Sequence, residues 1–132
     1  MFSKIVVGYI PTPEGVAALD AAISLARPER SHVTVVNTGR DGNYADKSFA
    51  VAEDIDTIDL QLANADIPHD VRQPTSGRSA ADEILGAATE VGADLVVIGL
   101  RRRSPVGKLM TGSTAQQVLL DAPCAVLTVK AR

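Results

Sequence analysis

Apolar residues along this chain gather in short runs, and the runs alternate with longer segments whose apolar positions recur at helical spacing. Five runs have strand length: Lys4–Ile10, His32–Thr38, His69–Gln73, Asp94–Ile98 and Cys124–Val129. The first is almost continuous through Ile5, Val6 and Val7, and the second, fourth and fifth are rich in Val, Ile and Leu, as strands covered on both faces are. The third differs. Val71 stands alone there among His69, Asp70, Arg72 and Gln73, a pattern that fits a short, protected edge strand.

Between the runs, four stripes predict helices. From Pro13 to Ala26, the residues Gly15, Ala18, Leu19, Ala22 and Ala26 share a face, and Pro13 and Glu14 suit a first turn. Val51, Ile55, Ile58 and Leu62 form the second stripe, with Glu53, Asp54, Asp56 and Asp59 on its wet side. Ala81, Ile84, Leu85, Ala88 and Val91 form the third, and Ala115, Val118, Leu119 and Ala122 the fourth, stopped by Pro123. The order βαβαβαβαβ predicts an open, five-stranded parallel sheet with right-handed crossovers and helices on both faces, a Rossmann-like α/β fold. With the polar third strand at one edge and the first and fourth in the centre, the strand order is 3-2-1-4-5. The fifth strand, through Ala125, Val126, Leu127, Thr128 and Val129, then becomes an exposed apolar edge. A homodimer paired through this strand is expected.

Composition narrows the class without changing the fold. The chain has 132 residues, 45% apolar and 22% charged, which suits one soluble domain spanning residues 1–132 and large enough to bury a core without disulfides. A single cysteine, Cys124, excludes an internal disulfide framework and suits a reducing compartment. The start MFSKIVVGYIP has no signal-peptide pattern and no long apolar span, so a cytoplasmic location is expected, away from membranes. A net charge of −3 argues against a surface made for nucleic acid.

Candidate chemistry follows from the topology. Ligands of open parallel sheets bind beyond the carboxyl ends of the strands, where connections diverge to opposite faces, here between strands 1 and 4. Two loops flank that crevice, GYIPTPEG and GLRRRSPVGKLMTGS. The second holds Arg101, Arg102, Arg103 and Lys108 and ends in Gly112, Ser113 and Thr114 at a helix start. Unpaired N–H groups and the positive end of a helix dipole attract anions, and glycine lets them approach the backbone. Ser113 as a simple helix cap beside solvated arginines is the competing reading. The P-loop pattern fails, because Gly107-Lys108 is followed by Leu109 and preceded at the required spacing by Arg102. No G-x-G-x-x-G follows strand 1. His32 and His69 open strands at the amino side of the sheet and suggest no metal site, Cys124 reads as a core residue, and Asp94 is expected to cap the start of strand 4. No catalytic set is legible, and the chain does not read as an enzyme.

The segment VVIGLRRRSPVGKLMTGSTAQQVLLDAPCAVLTV and the start KIVVGYIPTPEGVAALDAA resemble the universal stress protein family, and the likeness spans nearly the whole chain. The family's nucleotide pattern G-x2-G-x9-G-[S/T] falls on Gly99, Arg102, Gly112 and Ser113, with Arg102 replacing the second glycine. The resemblance implies an adenine nucleotide alpha hydrolase-like fold and a dimer through the C-terminal strand. It also implies ATP or AMP, with Mg2+ accompanying the nucleotide. Gly99, Gly112, Ser113 and Thr114 would meet phosphates and ribose, while Gly8, Tyr9, Ile10 and Thr38 would lie near the base. Ile10 stands where nucleotide-binding members usually carry an aspartate. The implied role is a dimeric stress-response switch. The alternatives are a scaffold that takes another phosphorylated ligand through Arg101–Arg103, and slow ATP hydrolysis or autophosphorylation at Ser113.

Overall fold

Buried backbone N–H and C=O groups must pair, and runs as short and apolar as these do so only with one another. The computed structural model describes residues 2–38, 52–74, 78–100 and 113–131. In it, β1 (Lys4–Tyr9), β2 (His32–Asn37), β3 (His69–Arg72), β4 (Leu95–Leu100) and β5 (Ala125–Lys130) form one parallel sheet in the order β3-β2-β1-β4-β5. The helices α1 (Pro13–Ala26), α2 (Ala52–Asn64), α3 (Ala80–Val91) and α4 (Ser113–Asp121) fill the connections.

Two apolar layers result. Ile5, Val7 and Tyr9 of β1 pack with α1 and α2 on one face, while Val6, Val36, Val96 and Ile98 pack with α3 and α4 on the other. Alternate residues of one strand thus serve opposite layers, as the pleat requires. Helix α1 buries the expected stripe and adds Ile23. In α3 the buried face is rotated from the expected one: Ala80, Ala87 and Glu83 are buried, whereas Leu85 and Val91 are only partly covered. In α4, Ala115 and Val118 are buried, but Leu119 is 47% exposed instead of joining the core. Val51, Glu53 and Asp54 lie outside the residues whose side chains are described.

Local signals set the helix ends. Thr12 accepts a 3.1 Å bond from the Gly15 N–H ahead of Pro13, and Ser79 does the same for Asp82 at the start of α3. Helix α3 stops at Gly92, whose φ of 68° is the left-handed cap that glycine supplies without strain.

Glycine also decides how closely α1 approaches the sheet. A Cβ on Gly99 of β4 would stand 2.2 Å from the Glu14 carbonyl oxygen, and one on Gly15 would stand 1.9 Å from the Ile10 carbonyl oxygen. Both distances are far inside van der Waals contact, so the first turn of α1 rests on backbone alone at these two points. At the other end of the central strands, the Asp94 carboxylate accepts from the Ser3 and Lys4 N–H groups at 2.8 and 3.1 Å, and the Asp94 N–H donates to the Lys4 carbonyl. Asp94 therefore ties the start of β1 to β4, a longer-range role than the cap expected for its own strand.

The polar strand β3 is an edge, held by its charges. Asp70 stands beside Thr34 in register and accepts from Thr34 Oγ1 at 2.8 Å, Arg72 Nε at 2.8 Å and, through a 2.7 Å contact, His32 Nε2. Burial alone would raise this carboxyl, but the bonds from His32, Arg72 and Thr34 outweigh it and hold its pKa below the usual aspartate range. The stabilisation is present above that range and is lost as pH falls through the lowered value.

Two stability predictions follow from these contacts. Gly99→Ala forces α1 off β4 and should cost about 1–3 kcal/mol in urea unfolding, the range of overpacked cores. An unchanged midpoint would show that Glu14 yields freely. Asp70→Ala strands the buried Thr34 hydroxyl and should cost about 1–2 kcal/mol near neutrality, with the difference from wild type shrinking in acid.

Candidate functional site

Helices α1 and α2 lie on one face of the sheet and α3 and α4 on the other, so the connections leaving β1 and β4 part at their carboxyl ends. The point between these two central strands where a crevice is expected is therefore a topological switch point, and the described residues around it can be placed one by one.

At the end of β1, Gly8 sits under Ile84 and Ile98, and an added Cβ would come 2.6 Å from Ile84 Cδ1. Tyr9 is buried in the layer beneath α1 and α2, and its carbonyl accepts from the Thr38 N–H at 3.3 Å. Ile10 is half-buried and turns the chain by accepting from the Thr12 N–H at 2.8 Å. Thr38 is buried just beyond β2. Gly99 faces the first turn of α1, so its missing side chain has a packing reason whatever else it does. Of the residues expected to form the phosphate loop, Ser113 and Thr114 open α4, Ser113 exposed and Thr114 half-buried. Arg101, Arg102, Arg103 and Gly112 lie outside the described residues.

The structure thus brings Tyr9, Ile10 and Thr38 together at the carboxyl ends of β1 and β2. The two helix starts at the crevice differ. In α1, the Gly15 N–H is already taken by Thr12 and Gly15 is covered by the Ile10 carbonyl. In α4, the first residue is an exposed hydroxyl. Two polar residues escaped the sequence reading. Asn37 is fully buried at the end of β2, in register with Tyr9, and a polar residue closing the run HVTVVN was the available signal. Thr12 was legible as the hydroxyl before Pro13.

A second concavity opens beside β3 and α3. It has a volume of about 410 Å3 and is lined by Arg72, Arg78, Glu83 and Glu90 over Val36 and Ala87. Glu83 is only 6% exposed, and Arg78 Nε donates to it at 2.7 Å. The Arg78 guanidinium lies over Gly86, where a Cβ would meet it at 3.1 Å. Arg72 pairs with Asp70 and Glu90. The charges of this cavity are matched by one another.

Among the described residues, no group of three or more His, Cys, Asp or Glu is placed to hold a metal ion, and no helix is long and apolar enough to cross a membrane. Burial, followed by the nearby Asp94 charge, pushes the half-buried Cys124 thiol up, away from thiolate chemistry.

Comparison with known proteins places this architecture. A universal stress protein of Mycolicibacterium smegmatis is 40% identical over 126 residues, 96% of each chain. The solved structure of a universal stress protein from Archaeoglobus fulgidus superposes with a TM-score of 0.78 at 29% identity, covering 98% of this chain and 100% of that one. A universal stress protein structure from the same organism, in complex with dAMP, has a TM-score of 0.62 at 25% identity, covering 96% and 97%. Residues 1–130 match the universal stress protein family as a whole, and the chain belongs to that family.

Proposed function

We propose that this protein is a cytoplasmic, nucleotide-binding regulatory module that takes ATP or AMP in the crevice between β1 and β4 and works as a homodimer rather than as an enzyme. The observation that carries the reading is the switch point itself, with a helix that begins at an exposed Ser113 on one side and the Tyr9, Ile10 and Thr38 cluster on the other. The dAMP complex of the Archaeoglobus fulgidus relative supports the choice of an adenine nucleotide.

In this reading, the first N–H groups of α4 and the Ser113 and Thr114 hydroxyls hold phosphate oxygens. Gly112 permits backbone approach, and Arg101, Arg102 and Arg103 supply side-chain donors where Arg102 replaces a glycine of the family pattern. Thr38 and the backbone of Gly8, Tyr9 and Ile10 border the base. Mg2+ would come with the nucleotide, bound to its phosphates. In this reading the chain's own residues bind and orient the nucleotide.

One observation favours a second reading. Ile10 puts a hydrocarbon side chain where a polar anchor for the nucleotide is usual in the family, so a scaffold that recruits another phosphorylated ligand through its arginines is the alternative.

Titration calorimetry with ATP and AMP separates the two. Wild type should bind, and Gly112→Val should lose about 1–3 kcal/mol, or roughly five- to 150-fold in affinity, as backbone approach is blocked. Equal binding by both proteins would refute the phosphate loop, and no binding by wild type would favour the scaffold.

The dimer rests on β5. Its far side has no neighbour in the sheet, and Ala125, Leu127 and Lys130 are exposed along it while Val126, Thr128 and Val129 are half-covered. Leu120, at the end of α4, adds an apolar side chain that is 83% exposed. Sedimentation equilibrium at micromolar concentration should return twice the 13.8 kDa chain mass. A single species at the chain mass would remove the dimer.

A further inference from the structure

His69 opens β3 with its side chain only 13% exposed, and both ring nitrogens face groups that accept. Nδ1 lies 2.7 Å from the Ile67 carbonyl oxygen, and Nε2 lies 2.7 Å from Asp59 Oδ1 on α2. A neutral imidazole has one N–H and can satisfy one such partner, whereas the imidazolium satisfies both. Burial pulls the ring toward its neutral form, but the Ile67 carbonyl and the Asp59 carboxylate, helped by the charge of Asp70, outweigh it and lift its pKa above the usual imidazole range.

The surrounding charges leave this pair its own carboxylate. On α2 the neighbour is Asp59, with exposed Asp56 one turn before it. On β3, Asp70 is committed to Thr34, Arg72 and the His32 ring of β2. In the turn between α2 and β3, Asp66 pairs with Arg30 at 3.2 Å. His32 and His69 therefore engage different acids.

The place of this contact gives it leverage. Strand β3 has four residues and one neighbour, β2, and α2 is the helix packed over it. The His69–Asp59 contact spans from the middle of α2 to the first residue of β3, closing the unit on itself. We propose that His69 is a proton-operated latch, tying β3 to α2 most firmly as an imidazolium and loosening this edge unit when it loses its proton. A folded pKa above the unfolded one means that the stabilisation is complete below the usual imidazole range and fades as pH rises through the folded value. Acidification closes the latch and alkalinisation opens it. Nothing in this device requires a nucleotide.

Amide hydrogen exchange followed by NMR from about pH 6 to about pH 9 tests it, with rates corrected for intrinsic base catalysis and referenced to β1 and β4. In wild type, protection of α2 and β3 should fall about two- to fivefold in a step that coincides with the His69 ring titration, the size expected of one partly exposed ion pair. The step should vanish in His69→Gln and move to lower pH in Asp59→Asn. The 15N shifts of the His69 ring should show both nitrogens protonated at the acid end. A neutral His69 ring at that end, or the same step in His69→Gln, would overturn the latch. Should His69→Gln fail to fold, Asp59→Asn, which alters an exposed carboxylate, decides alone: an unmoved step overturns the proposal.

Discussion

The architecture depends on how closely the first turn of α1 can approach the sheet. Gly99 and Gly15 leave out side-chain atoms that would otherwise stand between this turn, the end of β4 and the loop after β1. Helix α1 then lies deep enough to cover β1 and to bury Ala18, Leu19 and Ala22 against it, which gives one of the two core layers its thickness. The same approach draws the crevice wall, since the chain after β1 must turn at Ile10 and be capped at Thr12 within a few residues. A family glycine can therefore owe its place to packing. Gly99 matches the nucleotide pattern, yet the Glu14 carbonyl alone is enough to require it.

The fold was legible because its signals are local and redundant. Five apolar runs, four helical stripes and Pro13 and Pro123 as punctuation leave little freedom, and the polar composition of β3 was sufficient to place it at an edge. What the pattern missed involves distance in sequence. Asp94 serves the start of β1, some 90 residues away, and no spacing rule carries that information. Glu83 is a buried charge at a helix position whose period marks it as wet, and Arg78 reaches back to pair with it from outside the helix. Leu119 fits the stripe of α4 but stays about half exposed rather than joining the core.

The candidate site was legible in a different way. Topology pointed to the switch point between β1 and β4, and the resemblance supplied most of the candidate residues. The physical reading then separated their roles: Tyr9 belongs to the core, Gly8 makes room for Ile84, and Thr38 and Asn37 bring buried polar groups to the rim. Glu53, Asp54, Asp56 and Asp59 share the wet side of their helix, and Asp59 shows the limit of reading such a face as merely solvated, since an exposed acid can still be the hydrogen-bonded counter-charge of a largely buried imidazole. Charge on a helix surface says little about function until the element packed beside it is known.

The central position of β1 has a consequence for how the chain is made. Its neighbours are β2 and β4, and β4 is completed only when residue 100 has been synthesised. During translation, β1, α1 and β2 can associate early, but one side of β1 must wait as an open strand edge through the production of α2, β3 and α3. Contacts of such long sequence separation slow folding and prolong exposure to misassociation. The clasp that the Asp94 carboxylate makes with the Ser3 and Lys4 N–H groups cannot form before residue 94 has been made, so the start of β1 is joined to β4 only late in synthesis.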